Sequence, residues 1–273
     1  MSLSWPRALH LAVRPDGAAL MVVGGFPRRV VHQAAWGNDA AHAPQASWEP
    51  MLETLRKQLV PRYYNARGAW ITLSNHFCHY ALLPNPVALS RDSEVLAYAR
   101  HKMRATFGDT SQQWDLRLSK HKDALLVCAV EPAITAALRD LLREFHLPVV
   151  SIQPWFATVF NRFRSRIGQD SGWFVVQEPG RLVISRFDDG RWSALASRRT
   201  PDDTLEAFVA TLGREHRLQE SAGHAPHKVW LTSSVQRYVA DDFAGSGYSV
   251  TVLNPPLPKH ANAEDDVSYA MAA

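Results

Sequence analysis

The chain has 273 residues, 46% hydrophobic and 21% charged, which excludes a disordered or fibrous protein. Such a length suits two domains or one large one and buries about three quarters of the unfolded surface, so folding requires neither disulfide nor metal. Thirty basic and 26 acidic side chains leave a net charge of +4, too small an excess to argue for nucleic acid.

Three strands are predicted at 8–14, 18–24 and 28–36. The first two are joined by Pro15-Asp16-Gly17, where Pro fixes one φ and Gly accepts a positive one. A helix is predicted from Ser47 as N-cap, with Met51, Leu52, Leu55 and Leu59 at helical spacing. Strands at 70–74 and 76–83 follow, the second stopped by Pro84 and Pro86. The helix 90–107 carries Val95, Leu96, Ala99, Met103 and Phe107 on one stripe, with Gly108 as its C-cap. Strands at 113–119 and 124–130 enclose a polar turn. Pro132 opens a helix whose Ile134, Leu138, Leu141 and Leu142 keep the helical period. A strand at 147–152 leads to a helix opened by Pro154 and closed by Gly168.

The pattern then restarts. Strands are predicted at 172–177, 182–187 and 192–197, with Gly180 and Gly190 in the turns. Thr200 is read as a helix N-cap, with Pro201 at the first position and Asp203 reaching back as in a capping box. Leu205, Phe208, Val209 and Leu212 form that helix's apolar stripe. A strand at 228–231, a helix at 234–243, a strand at 247–253, a Pro-rich link at 254–258 and a short helix at 265–272 complete the chain.

By order of elements, residues 7–168 read βββ-α-β, an insert, then α-β-α, and residues 171–273 read βββ-α-β-α-β-α. The expectation is an α/β protein of two duplicated domains, 1–168 and 169–273, each a five-stranded mixed sheet flanked by helices. The first would carry a β-α-ββ insert at about 75–130.

No apolar run approaches the roughly 18 residues needed to span a bilayer, and the N-terminus shows no leader pattern. Cys78 and Cys128 form no Cys-x-x-Cys pair, which fits a reducing, cytoplasmic compartment. His76, Cys78 and His79 do not converge on a strand, since His79 points away from the other two, and no metal site is expected.

Duplicated βββαβαβα domains resemble the actin-like ATPase superfamily, whose domains are ribonuclease H-like. The insert resembles that of the division protein FtsA and of the pilus protein PilM. The stretch Ile71-Thr72-Leu73-Ser74-Asn75-His76-Phe77-Cys78-His79-Tyr80-Ala81-Leu82-Leu83-Pro84 is similar to a Leu-Ser-Asn segment of PilM-like proteins and of the cytoplasmic half of the type II secretion protein GspL. The run 151–164 is similar in kind. The resemblance implies a cytoplasmic protein held at the inner membrane by a partner. That partner is the tail of a membrane-anchored, PilN-like protein in the PilM case, or an assembly ATPase in the GspL case.

Members of the superfamily grip ATP and Mg with two Asp/Gly-rich hairpin turns and a Gly-Gly turn. The corresponding positions here are Asp16 and Gly17, Glu178 and Gly180, and Ser233 and Ser234. Each departs from the pattern. Ala18 and Ala19 replace a hydroxyl residue, Pro179 removes an N–H donor, Arg181 adds bulk, and both adenosine-loop glycines are missing. No Gly-x-x-x-x-Gly-Lys loop occurs. The reading is a pseudo-ATPase adaptor without cofactor. The alternative is an active actin-like ATPase or small-molecule kinase using Asp16 and Glu178. Arg100, Lys102 and Arg104 on the insert helix, with Lys120 and Lys122 on its hairpin, form a candidate docking face for an acidic protein segment or the inner leaflet. Oligomeric state is left open.

Overall fold

The computed structural model describes residues 7–26, 29–37, 47–59, 66–167, 170–220, 227–236 and 238–253. By contact density these fall into two compact units. One holds 7–77 and 133–158, the other 78–132 and 159–253. The insert thus packs with the second sheet, whereas chain order alone assigns it to a domain spanning 1–168.

In the first unit, β1 (Arg7–Val13), β2 (Gly17–Gly24) and β3 (Arg29–Gly37) form an antiparallel meander. β4 (Ala66–Leu73) and β8 (Val149–Pro154) extend it in parallel, giving the order β3-β2-β1-β4-β8. The register sets Leu11 opposite both Leu20 and Ile71, so one pleat face is continuous hydrocarbon. The helix α1 (Glu49–Gln58) lies against β2 and buries Met51 and Leu55. α3 (Pro132–Glu144) buries Ile134, Leu138, Leu141 and Leu142; α4 (Trp155–Ile167) follows β8, and its residues from Val159 onward belong to the second unit.

The second unit repeats the topology. β9 (Gly172–Glu178), β10 (Arg181–Asp188) and β11 (Arg191–Arg199) form the meander, and β12 (Lys228–Ser233) and β13 (Ser249–Val252) are the parallel additions, in the order β11-β10-β9-β12-β13. β9 is buried along its whole length, as expected of a strand covered on both faces. One face joins Trp173, Val175, Leu182, Ile184, Val229 and Leu231 to Phe208 and Leu212 of α5 (Leu205–Glu220). On the other, Phe160 of α4 meets Phe174, Phe187 and Trp192.

The insert is a separate antiparallel sheet of β5 (Cys78–Pro84), β6 (Asp115–Lys120) and β7 (Ala124–Val130), in the order β5-β7-β6. α2 (Asp92–Phe107) covers one face with Val95, Ala99 and Met103 over Leu125, Val127 and Ala129. β5 lies against β11. Asp123 and Arg191 form an ion pair at 2.8 Å, and His121 contacts Trp192.

Several boundaries differ from the sequence reading, each for a local reason. α1 starts at Glu49, with Trp48 rather than Ser47 at the N-cap, because the Ser47 hydroxyl is spent on the Glu49 carboxylate. Residues Asn75–Phe77 form a 3-10 turn, so the strand begins at Cys78. β8 starts two residues late. His146, at φ 53°, closes α3, and Leu147 N–H reaches back to Leu142 O at 2.9 Å, a left-handed cap made without glycine.

α5 begins at Leu205, not after Thr200. The cap is Thr204, whose Oγ accepts Ala207 N–H at 3.2 Å. The described part of 234–243 holds only a 3-10 turn, Ala240–Phe243. Ser233 Oγ accepts the Val235 N–H at 3.1 Å and so competes with a helix there. Gly168 and the expected link and helix beyond 253 lie outside the described residues.

Candidate functional site

The first hairpin turn belongs to the first unit. Arg14 N–H donates to Gly17 O at 2.8 Å. The Arg14 guanidinium sits 3.0 Å from Asp16, an ion pair in which Nε makes no hydrogen bond. The Asp16 carboxylate is therefore already faced by a cation two residues away. Gly17 is demanded by packing: a Cβ there would lie 2.5 Å from Trp36 O of β3.

The second and third positions come together at the end of β9, in the second unit. Glu178 is buried. Pro179 has no N–H. Gly180, at φ 68°, donates its N–H to Asp203 Oδ1 at 2.7 Å, and its carbonyl accepts Thr200 N–H at 3.1 Å. The segment expected to cap α5 instead ties down the β9–β10 turn. This turn has no free backbone donor for a phosphate: one N–H does not exist and the other is occupied by a carboxylate.

Ser233 and Ser234 are bound to the neighbouring Gln177. Ser234 N–H donates to Gln177 O at 2.9 Å, and Ser233 Oγ donates to Gln177 Oε1 at 3.0 Å. Where a Gly-Gly turn would leave open backbone for a base, these residues carry side chains, and that of Ser234 is buried. The residues at the three loops do not fit a nucleotide held by bare backbone.

Along the proposed docking face, three of the five cations have internal work. Arg100 donates to Gln112 O at 2.6 Å and Trp114 O at 3.4 Å, fastening α2 to the chain that enters β6. Arg104 pairs with Asp109 at 2.6 Å and Lys120 with Asp92 at 2.9 Å. The Lys120 hydrogen bond, then its charge, holds the Asp92 carboxyl below its ordinary range. Lys102 and Lys122 have no carboxylate partner among the described residues, and the Lys102 ammonium lies 5.8 Å from the Tyr98 ring centre. Asn85 Nδ2 donates to Lys122 O at 3.0 Å, pinning the β6–β7 turn.

His76 N–H is tied to Ser74 Oγ at 3.1 Å. His79 stacks on Trp114 with ring centres 3.9 Å apart. Burial, then the nearby Arg181, pushes its pKa below the ordinary 6.5. Cys78 and Tyr80 lie on the opposite face of β5. The Cys78 thiol is pushed well up by the hydrogen bond it shares with Cys128 and by burial, which makes it a poor nucleophile. Periodicity misses the Glu178–Arg181–Arg199 row, which strand pairing creates, and the Arg198–Glu215 pair, which joins β11 to α5.

No protein-family model matches the chain, and no curated protein matches it in sequence. The fold, by contrast, is that of the actin-like ATPases: two five-stranded sheets of the same strand order, with a 3-10 turn between β12 and β13 where the first repeat has a helix, and a β-α-ββ insert. Among solved structures, the chain is similar to PilM in a PilM–PilN type IV pilus biogenesis complex, at TM-score 0.69 and 14% identity, covering 97% of this chain and 96% of that one. It is similar to a protein of actin-like ATPase fold and unknown function from Bacteroides thetaiotaomicron, at 0.59 and 12%, covering 98% and 96%. It is also similar to the cytoplasmic domain of EpsL, an inner membrane component of the type II secretion system of Vibrio cholerae, at 0.54 and 10%, covering 97% and 94%. No helix among the described residues is long and apolar enough to cross a membrane.

Proposed function

We propose that this chain is a non-catalytic adaptor of a type IV pilus or type II secretion-like assembly. It would work at the cytoplasmic face of the inner membrane, recruited by the tail of a membrane-anchored protein comparable to PilN, or by an assembly ATPase. The observation that carries the non-catalytic reading is the Gly180 N–H bound to Asp203, because catalysis of phosphoryl transfer depends on donors preorganised for the phosphates. The adaptor reading is supported by the end-to-end likeness to PilM, which is solved together with PilN. An extended tail would gain affinity from backbone pairing and specificity from side-chain pockets.

The test uses the full chain and a synthetic peptide. The peptide carries the N-terminal cytoplasmic tail of a PilN-like, single-span membrane protein. Saturable binding with no Mg-dependent ATP turnover is the expected result. Absence of peptide binding overturns the adaptor reading. Mg-dependent turnover that falls in Asp16→Ala or Glu178→Ala establishes the ATPase or kinase alternative.

A further inference from the structure

Strand pairing in the second unit builds a row that the nucleotide loops do not explain. The register sets Arg181 of β10 directly opposite Glu178 of β9 on one side and Arg199 of β11 on the other. Directly opposed residues share a pleat face, so two guanidiniums and one carboxylate stand in line. That face is opposite the one bearing Trp173, Val175, Leu182 and Ile184.

The row is electrostatically unfinished. Glu178 is one buried carboxylate against two cations. Neither Arg181 nor Arg199 forms a salt bridge among the described residues, and like charges facing each other across a ladder are destabilising. Arg181 donates from Nη1 to Ser197 Oγ at 2.8 Å, but its Nε is buried without an acceptor. Burial disfavours its charged form, Glu178 offsets part of that, and Arg199 adds a smaller opposing push. His79, kept neutral by burial and by Arg181, adds no further positive charge and no anion. Arg199 is exposed at the end of the row. A buried donor left unmet beside a second cation calls for an anion.

We infer that Arg181 and Arg199 form a binding site for a small oxyanion, the phosphate or carboxylate group of a ligand held between the two guanidiniums. Planar forks suit either group, since both present paired oxygens to parallel N–H donors. The site is made of side chains, not of the backbone donors missing from the β9–β10 turn. It does not rest on the adaptor reading.

The test is calorimetric titration of the full chain with sodium phosphate and, separately, with sodium succinate, each against sodium chloride of equal ionic strength. One saturable site is expected. Arg199→Gln, an exposed position where folding is undisturbed, should weaken it about tenfold or more. Arg191→Gln, at the far end of the same strand, should leave it unchanged. Arg181→Lys, which keeps the charge and loses the fork, should also weaken it. Saturation by phosphate alone, by succinate alone or by both supports the site and names its ligand chemistry. Heat no different from chloride, or equal affinity in Arg199→Gln, overturns it.

Discussion

Gly180 N–H and the Asp203 carboxylate meet at 2.7 Å across 23 residues of chain, which places an internal anion on a backbone donor of the β9–β10 turn. Asp203→Ala leaves that N–H without its acceptor. A hydrogen bond to a charged group contributes about 1.5–3 kcal/mol, so amide exchange at Gly180 should accelerate by about ten- to a hundredfold. Asp203→Asn keeps an acceptor oxygen and should accelerate it less. Equal protection in all three proteins, measured by hydrogen exchange, would show that the contact does not hold the turn.

The Arg198–Glu215 pair has unequal partners. Its nitrogen–oxygen distances are 2.6 and 3.2 Å, but the Glu215 side chain is 4% exposed and that of Arg198 44%. Removing the exposed partner strands a carboxylate away from water, so Arg198→Ala should cost roughly 3 kcal/mol. Glu215→Gln leaves a cation that water can reach, so it should cost about 1 kcal/mol. Arg198→Met with Glu215→Leu should recover most of the loss. Chemical denaturation of the four proteins checks the order.

The duplicated frame was legible because it rests on apolar runs and turns. Val175, Ile184 and Leu231 are hydrophobic wherever they pair, and Gly108 and Gly180 stand at positive φ as glycines do at caps and turns. The errors arose where a side chain had two plausible local partners. Thr200 and Asp203 form a sound capping sequence, but both are drawn to Gly180 in the β9–β10 turn. Arg100 and Lys120 read as part of a docking face, and their internal partners Gln112, Trp114 and Asp92 lie 12 to 28 residues away. No periodicity reports such distances. The Arg181–Arg199 opposition likewise exists only once β10 and β11 are in register.

The displaced helix start has its own consequence. Thr204 Oγ accepts the Ala207 N–H, and the Asp202 carboxylate accepts both Thr204 N–H, at 3.0 Å, and its hydroxyl. Thr204→Ala should cost about 1 kcal/mol, as at other lost N-caps. Thr200→Ala keeps the backbone bond to Gly180 and should change stability by less than about 0.5 kcal/mol. Denaturant midpoints of the two variants compare them directly, and a larger loss at Thr200 would restore the capping role to it.

The insert should weaken in acid through His79. Its ring lies flat against Trp114 at 3.9 Å and edge-on to Phe107 at 5.4 Å. Burial, then Arg181, lowers its pKa below the ordinary 6.5. Between the folded and unfolded values the unfolded chain binds the extra proton, so stability rises with pH across that interval. This contribution is fully present above about pH 6.5 and is lost as pH falls toward the folded value. His79→Gln removes the titrating group, so its stability should be flatter than wild type between about pH 6.5 and 5. It should also be lower at pH 8, because the stacked ring is gone. Denaturant midpoints of both proteins at intervals across that range give the test. Parallel pH profiles would place the acid sensitivity elsewhere, while a steeper profile in the variant would contradict the neutral, stacked state of His79.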